Sequence, residues 1–336
     1  MHKPFAAAKI RQRWAPRRLV LLGLMLGGVF LIFAFREASF QGIVDALQIA
    51  RPQSILIGMA LYSLYLVARA SRWSLLLADR SATRDFSVLL RAVTWGTAAN
   101  AVIPHSGEIL RSLVTRKTLG ISATSILGSI GGERLYDFMT ITILTGMTLI
   151  LFQDSSSIVH TALRAIFSIG IVLFVGLFLI AFKFTLIARL IDVITNVVPD
   201  KYRNIPLQQA QEISVGVRAA LSNRRVARIA VLSVGQWLCA GGCIYLSMES
   251  LSLMLSPWVA FIVLALIVAG LTLPTAPAYL GTLQVCFLAG LAPFGVSVEE
   301  AIAASVVYTG VMMIPVIILS LFWWLELLLK SIRTTP

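Results

Sequence analysis

Charged side chains are scarce in this sequence. Asp, Glu, Lys and Arg make up 13% of the 336 residues, whereas hydrophobic residues make up 58%. Soluble domains carry about 25% charged residues. So few charges cannot cover the apolar surface of a chain this long, which excludes a soluble enzyme, a disordered chain and a fibrous repeat. The composition instead predicts an all-α, polytopic membrane protein.

Cysteine, histidine and acidic residues are also rare. The chain has three cysteines, three histidines and 15 acidic residues against 28 Lys and Arg. Cys239 and Cys243 share one face of an apolar run, which indicates packing residues rather than a disulfide framework or a metal site. No catalytic motif is visible, and we expect no metal and no cofactor. The net charge of +13 comes without a nucleic-acid reading module, so no nucleic-acid partner is expected.

Six apolar runs have about the length that a hydrocarbon core of about 30 Å requires. They follow a basic segment over residues 1–18, which predicts a cytoplasmic N-terminus, and they form one transmembrane domain over residues 19–330. An even number of crossings also places the C-terminus in the cytoplasm. The runs are Leu19–Phe35, Ile55–Ala68, Phe138–Phe152, Ala162–Phe182, Ile229–Met248 and Ala301–Leu325.

The distribution of Lys and Arg supports this orientation in the bacterial inner membrane. Only Arg36, Arg51 and Arg164 of the 28 basic residues fall on the outer side. In membrane proteins, the loops that are rich in Lys and Arg usually lie in the cytoplasm. The segment over residues 183–228 is predicted to be a cytoplasmic amphipathic connector. The second run ends in a basic group that is assigned to the cytoplasmic side: Arg69, Arg72, Arg80 and Arg84.

A further segment, residues 89–117, is apolar at first and is then broken by Pro104 and Gly107. Basic residues flank both of its ends, which predicts a re-entrant helical hairpin that enters and leaves on the cytoplasmic side. Irregular backbone at membrane depth has to be buried in protein or line a wet cavity, because lipid cannot satisfy its polar groups.

A second broken segment, residues 258–293, is flanked by acidic residues and contains Pro274, Pro277 and Gly281. It predicts a re-entrant hairpin from the periplasmic side. Two broken hairpins from opposite sides are typical of a transporter with a site near the midplane of the membrane. Two kinked helices with no site between them remain the alternative.

Ionisable residues cluster around the first hairpin and the helix that follows it. Two interpretations stay open. In one, Glu108 pairs with Arg134 and Arg111 pairs with Glu133 or Asp137, which pins the hairpin to the helix. In the other, Arg111 or Arg134 binds a lipid phosphate, which the planar guanidinium fork suits. The candidate residues of this cluster are Asn100, Glu108, Arg111, Glu133, Arg134 and Asp137.

The second hairpin adds neutral polar groups that are suited to holding a head group without trapping it. The candidates here are Thr275, Tyr279, Thr282 and Gln284.

The spacing of these residues resembles a known family. The first signature is N-x3-P-x2-GE-x2-R, followed by ER-x2-D, and the second is PT-x-P-x3-GT; they begin at Asn100, Glu133 and Pro274. Together they are similar to the lysylphosphatidylglycerol synthase transmembrane-region family, also called flippase-like, over roughly residues 19–325. The family often has Glu where this sequence has Gln284.

The resemblance implies an inner-membrane protein that translocates lipids or helps to handle them. The best-understood members of the family join this region to a soluble aminoacyl transferase, which this sequence does not contain, so lipid synthesis is not implied. We therefore predict a non-enzymatic lipid flippase or transporter for a polar, phosphate-bearing head group. Its partners would be a membrane lipid and a separate lipid-synthesis enzyme. The alternatives are a membrane-bound lipid-modifying transferase and a non-transporting scaffold of a lipid-synthesis complex.

Overall fold

The chain folds into a helical bundle. The computed structural model describes residues 15–77, 85–104, 106–121, 123–151, 157–182 and 225–334, together with positions 218 and 221. Every regular element in these ranges is helical, which confirms the all-α prediction. The α-helices are α1 (Ala15–Phe35), α2 (Phe40–Gln48), α3 (Pro52–Leu76), α4 (Phe86–Val102), α5 (Gly107–Leu119), α6 (Ala123–Leu151), α7 (Ser157–Phe182), α8 (Val226–Ser250), α9 (Val259–Gly270), α10 (Thr282–Leu291) and α11 (Val298–Thr334).

Two predicted segments lie outside the described residues. They are most of the basic N-terminal segment 1–18 and nearly all of the cytoplasmic connector 183–228.

Among the described residues, six helical segments are long and apolar enough to cross a membrane, or seven if the bent pair of α1 and α2 counts as one span, which agrees with the prediction of about six spans. Five of them coincide with predicted apolar runs. α1 covers the first predicted run with its 21 residues, and its segment Leu24–Phe35 meets α2 at a bend of 82°. The sixth segment is Pro277–Phe294, which belongs to the second hairpin.

The segment Pro277–Phe294 is not one continuous helix. A single 3-10 turn at Pro277–Tyr279 precedes α10, and another at Ala292–Phe294 follows it. Ala278, Tyr279 and Gly281 all have positive φ angles, so the chain reverses its direction here.

α9 and α10 form an antiparallel hairpin around this irregular stretch. Gly270, at the end of α9, packs against Thr282 and Cys286 near the start of α10, while Gly290, near the end of α10, packs against Val263. The Cys286 thiol donates to the carbonyl oxygen of Leu266 at 3.4 Å. The three cysteines are free and buried, as their apolar context predicts.

α4 and α5 form the first hairpin, and its break is held by side-chain caps. The backbone N–H of Gly107 donates to the Asn100 side-chain oxygen at 2.6 Å, and the Ser106 hydroxyl donates to the carbonyl oxygens of Ala99 and Ile103. A Cβ at Gly107 would overlap the Gly96 carbonyl oxygen. The two helices therefore touch through their backbones, and glycine is required at this position.

The core around which both hairpins pack is built from α3, α8 and α11. Its largest fully buried side chain is Trp73 of α3, and Phe287 of α10 joins it from the second hairpin. α1 reaches the second hairpin through two glycines, since a Cβ at Gly281 would overlap the carbonyl oxygen of Gly27. The break of the second hairpin is thus wedged against α1.

The close contact with α1 predicts a difference between two glycines that both have a positive φ angle. Gly281 has φ +81° and ψ −51°, and Gly295 has φ +74° and ψ +16°, so alanine costs about 1–2 kcal/mol of left-handed backbone strain at Gly295 and at least as much at Gly281. Only Gly281 also faces atoms that a Cβ would overlap, which adds about 1–3 kcal/mol of overpacking. Thermal unfolding in detergent should show a clearly larger fall in Tm for Gly281→Ala than for Gly295→Ala. Equal falls would contradict the close contact with α1.

Candidate functional site

The two hairpins meet at one polar cavity of about 240 Å³. The first hairpin contributes Thr97, Asn100, Pro104 and Glu108 to its wall. The second contributes Thr275 and Tyr279 from its break, together with apolar residues of α9 and α10. The remaining wall comes from α3, α6, α8 and α11. Both breaks in the chain therefore line the same space.

Tyrosines line much of this cavity. Four of the seven tyrosines in the sequence border it, so phenolic hydroxyls are concentrated there. Tyr62 and Tyr65 of α3 stack with ring centroids 5.1 Å apart, and Tyr308 of α11 packs against Phe287. Tyr279 reaches the wall from a left-handed backbone conformation with φ +59°. A non-glycine residue in this region costs on the order of 1–3 kcal/mol, so the surrounding packing must hold it there.

One carboxylate, that of Glu133 on α6, is bound by three arginines. Its Oε1 accepts from the Arg69 Nε at 3.2 Å and from an Arg72 terminal nitrogen at 3.1 Å. Its Oε2 accepts from an Arg111 terminal nitrogen at 2.8 Å. α3, α5 and α6 are thus joined at a single buried point.

Asp137 forms the second anchor, one turn further along α6. Its Oδ1 accepts from Arg72 at 2.6 Å and from the Trp237 indole N–H at 3.1 Å. Arg72 also donates to the Ser233 hydroxyl at 3.2 Å. These bonds join α8 to the same network.

The inner part of this network is sealed from the surroundings. The side chains of Arg72, Arg111 and Glu133 are at most 3% exposed. The Arg111 guanidinium also lies 4.1 Å from the ring centroid of Trp73, whose indole N–H donates to the Ser129 hydroxyl. A buried charge with several partners is costly to unpair, so these three residues fasten the helices together.

The outer part of the network faces the cavity. Glu108 accepts from Arg134 at 2.7 Å, and their side chains are 23% and 43% exposed. Arg69 lines the cavity too, yet it contacts Glu133 only through Nε. Within the described residues, no protein acceptor takes a hydrogen bond from its two terminal nitrogens. Arg69 and Arg134 are therefore the two guanidinium groups that an incoming anion can reach.

The charges of the network do not cancel. Four arginines (Arg69, Arg72, Arg111 and Arg134) face three carboxylates (Glu108, Glu133 and Asp137), which leaves one excess positive charge. In a partly buried site an excess positive charge favours an anionic ligand. Groups of three or more His, Cys, Asp or Glu that could hold a metal are absent from the described residues.

The structure places most of the sequence-predicted residues near this cavity. Six of them line it, namely Asn100, Glu108, Arg134, Asp137, Thr275 and Tyr279. Both predicted ion pairs form, Glu108 with Arg134 and Arg111 with Glu133. Of the two arginines predicted to meet a phosphate, only Arg134 lines the cavity, because Arg111 is turned toward Glu133 and Trp73.

Two predicted binding residues have structural positions instead. The Gln284 side-chain oxygen accepts from the Gly281 N–H at 2.7 Å, so it caps the start of α10. Thr282 is buried against Gly270. Pro274, Pro277 and Gly281 shape the turn without lining the cavity, whereas Pro104 does line it.

The structure corrects the position of two arginines. The sequence groups Arg69 and Arg72 with Arg80 and Arg84 at the cytoplasmic end of the second span, but α3 continues to Leu76 and carries both into the ion-pair network. The sequence contains a signal for this network. Arg69 and Arg72 are three residues apart, Glu133 and Asp137 are four apart, and both spacings put charges on one face of a helix.

The remaining polar and aromatic residues of the wall belong to no sequence motif. They comprise Tyr62, Tyr65, Gln236, Trp237 and Tyr308.

These features define an integral membrane protein in which two helical hairpins enclose a basic, tyrosine-lined cavity. A family model described as the lysylphosphatidylglycerol synthase TM region matches residues 20–320. The chain therefore belongs to this family, as the motifs predict. No curated protein matched the chain in a sequence comparison.

The network predicts a large loss of stability when its central carboxylate is removed. Glu133→Gln would leave buried guanidinium groups of Arg72 and Arg111 without their counter-ion, at a cost of about 3–5 kcal/mol. Glu326→Gln is the matched control, because Glu326 pairs with exposed Lys330 and such pairs contribute about 0–1 kcal/mol. Thermal unfolding in detergent should separate the two variants clearly. Similar Tm values would show that Glu133 does not fasten the bundle.

Proposed function

We propose that the protein is a lipid flippase or lipid transporter of the bacterial inner membrane, with both termini in the cytoplasm. A phosphate-bearing head group crosses through the cavity while its acyl chains stay in the bilayer. The protein performs no covalent chemistry on the lipid. It moves the head group down its gradient between the leaflets, or couples the movement to an ion.

The observation that carries this proposal is the pair Arg69 and Arg134, whose guanidinium groups are accessible from the cavity inside a largely apolar bundle. Charged groups within membrane spans are costly, and they mark pathways for polar substrates. Two guanidinium groups in a site with one excess positive charge suit a phosphate, which accepts paired N–H donors. The family match to a lipid-related membrane region supports a lipid as the source of that phosphate.

The site also has features that favour release. Glu108 and Asp137 stand beside Arg134 at 2.7 and 3.8 Å and compete with a phosphate for its donors. The tyrosine hydroxyls offer neutral hydrogen bonds to the rest of a head group. A transporter needs binding that is weak enough to reverse, and this mixture of groups supplies it.

Arg69 provides the sharpest test of the proposal. In proteoliposomes, transfer of fluorescent phosphatidylglycerol between leaflets is followed by dithionite quenching. Arg69→Gln removes the donors that face the cavity, and charge-assisted hydrogen bonds contribute about 1.5–3 kcal/mol, so transfer should slow at least about tenfold. Arg228→Gln is the control, because Arg228 is exposed on α8 away from the cavity. The two variants are compared with the wild type after their Tm values and the amounts of protein incorporated into the liposomes have been shown to be similar.

Equal transfer rates for Arg69→Gln and the wild type would contradict the proposed site. No acceleration by the wild-type protein over empty liposomes, for several lipid classes, would contradict flipping itself. Mass spectrometry of the lipids after the assay separates transport from a transferase. Transport leaves every lipid at its original mass, whereas a transferase given its co-substrate creates a new one.

A further inference from the structure

An apolar groove runs along the outer side of the first hairpin. One face of α5 supplies Glu108, Ile109, Ser112, Leu113 and Arg116, whose spacing of four residues keeps them in line. α6 supplies Ile126 and Ile130 on the opposite wall. The groove encloses about 250 Å³, and its α5 wall is open to the bilayer, since Ile109 is 65% and Leu113 59% exposed.

The groove and the central cavity share a single lining residue. Glu108 borders both spaces, and its partner Arg134 lies on the cavity side. This ion pair therefore stands between the groove and the cavity. The second ion pair between α5 and α6, Arg111 with Glu133, lies deeper and is sealed.

The outer pair is built to exchange partners. Arg134 and Glu108 are the most exposed members of the network. Only one Glu108 oxygen is bonded to Arg134, and the buried Oε2 has no hydrogen-bond partner among the described residues. A phosphate that replaced this carboxylate on Arg134 could accept two parallel N–H bonds. Opening the pair would leave the Arg111 to Glu133 anchor in place.

We propose that this α5–α6 groove is the lateral entry site for a membrane phospholipid with an acidic head group. One acyl chain lies along Ile109, Leu113 and Ile130. The phosphate displaces Glu108 from Arg134 and so passes from the groove into the cavity. This inference rests on the proposed function and adds to it the route by which the lipid enters.

The binding step is tested by photo-crosslinking. Benzoylphenylalanine replaces Ile109, or Val172 on the exposed face of α7 as control, in vesicles of equal parts phosphatidylglycerol and phosphatidylcholine. An arginine in a site with excess positive charge favours a lipid of net negative charge over a neutral one, and a preference of about 1 kcal/mol corresponds to about fivefold. Adducts at position 109 should therefore be enriched about fivefold in phosphatidylglycerol, and adducts at position 172 should match the vesicle composition.

Arg134→Gln in the position 109 background should abolish most of this enrichment. If the adducts at position 109 have the same lipid composition as the vesicles, the entry site is overturned. It is also overturned if the enrichment in phosphatidylglycerol persists in the Arg134→Gln variant.

The transport step is tested by filling the groove. Leu113→Trp adds bulk where the acyl chain would lie, while the side chain stays exposed and folding is spared. Transfer should slow about tenfold, which corresponds to about 1.4 kcal/mol, and Val172→Trp should transfer at the wild-type rate. If Leu113→Trp transfers lipid as fast as the wild type, the groove is not the entry route and the proposed function stands. If the wild type transfers no lipid, the proposed function fails. The photo-crosslinking result at position 109 then decides whether the groove binds lipid.

Discussion

The structure depends on one buried carboxylate that three arginines share. Glu133 accepts hydrogen bonds from Arg69 and Arg72 of α3 and from Arg111 of α5. A single charge of this kind could not be buried alone in an apolar bundle, and neither could the arginines. The ion pairs between Glu133 and these arginines hold α3, α5 and α6 against one another. They thereby also hold the first hairpin in place. Because the arginines outnumber the nearby carboxylates, one positive charge is left uncompensated at the cavity.

The second hairpin is held by a different constraint, which is steric. Its break contains Ala278 and Tyr279 in left-handed conformations, and Gly281 touches the backbone of α1. The Gln284 cap secures the start of α10 just beyond this turn. The first hairpin is held by charges and the second by its close contact with α1, and the breaks of both lie at the wall of one cavity. Strained and irregular backbone at membrane depth is tolerated there because protein and cavity surround it.

Much of this arrangement could be predicted from the sequence. The apolar runs and the Pro and Gly breaks predict the helical class, most of the apolar spans and both helical hairpins, because these features depend on local composition. The pairing of Glu108 with Arg134 is one of two alternatives that the sequence leaves open, and it rests on the need of buried charges for partners. The sequence places Arg69 and Arg72 wrongly because the positive-inside rule treats every arginine at the end of an apolar run as a loop residue. Their partners lie more than 60 residues away in the sequence, and only the folded chain brings them together. The roles of Tyr62 and Tyr308 likewise depend on packing between distant helices.

The central claim is that the two breaks converge on one cavity, and chemical cross-linking tests it most directly. Asn100 of α4 and Tyr279 of the second hairpin both line the cavity, and α4 touches the turn that contains Tyr279. The chain is prepared without its native cysteines, carries Asn100→Cys and Tyr279→Cys, and is treated in membranes with a short bifunctional thiol reagent. The account predicts an intramolecular cross-link between the two positions. Failure to form it, while each cysteine alone reacts with a monofunctional thiol reagent, would contradict the account.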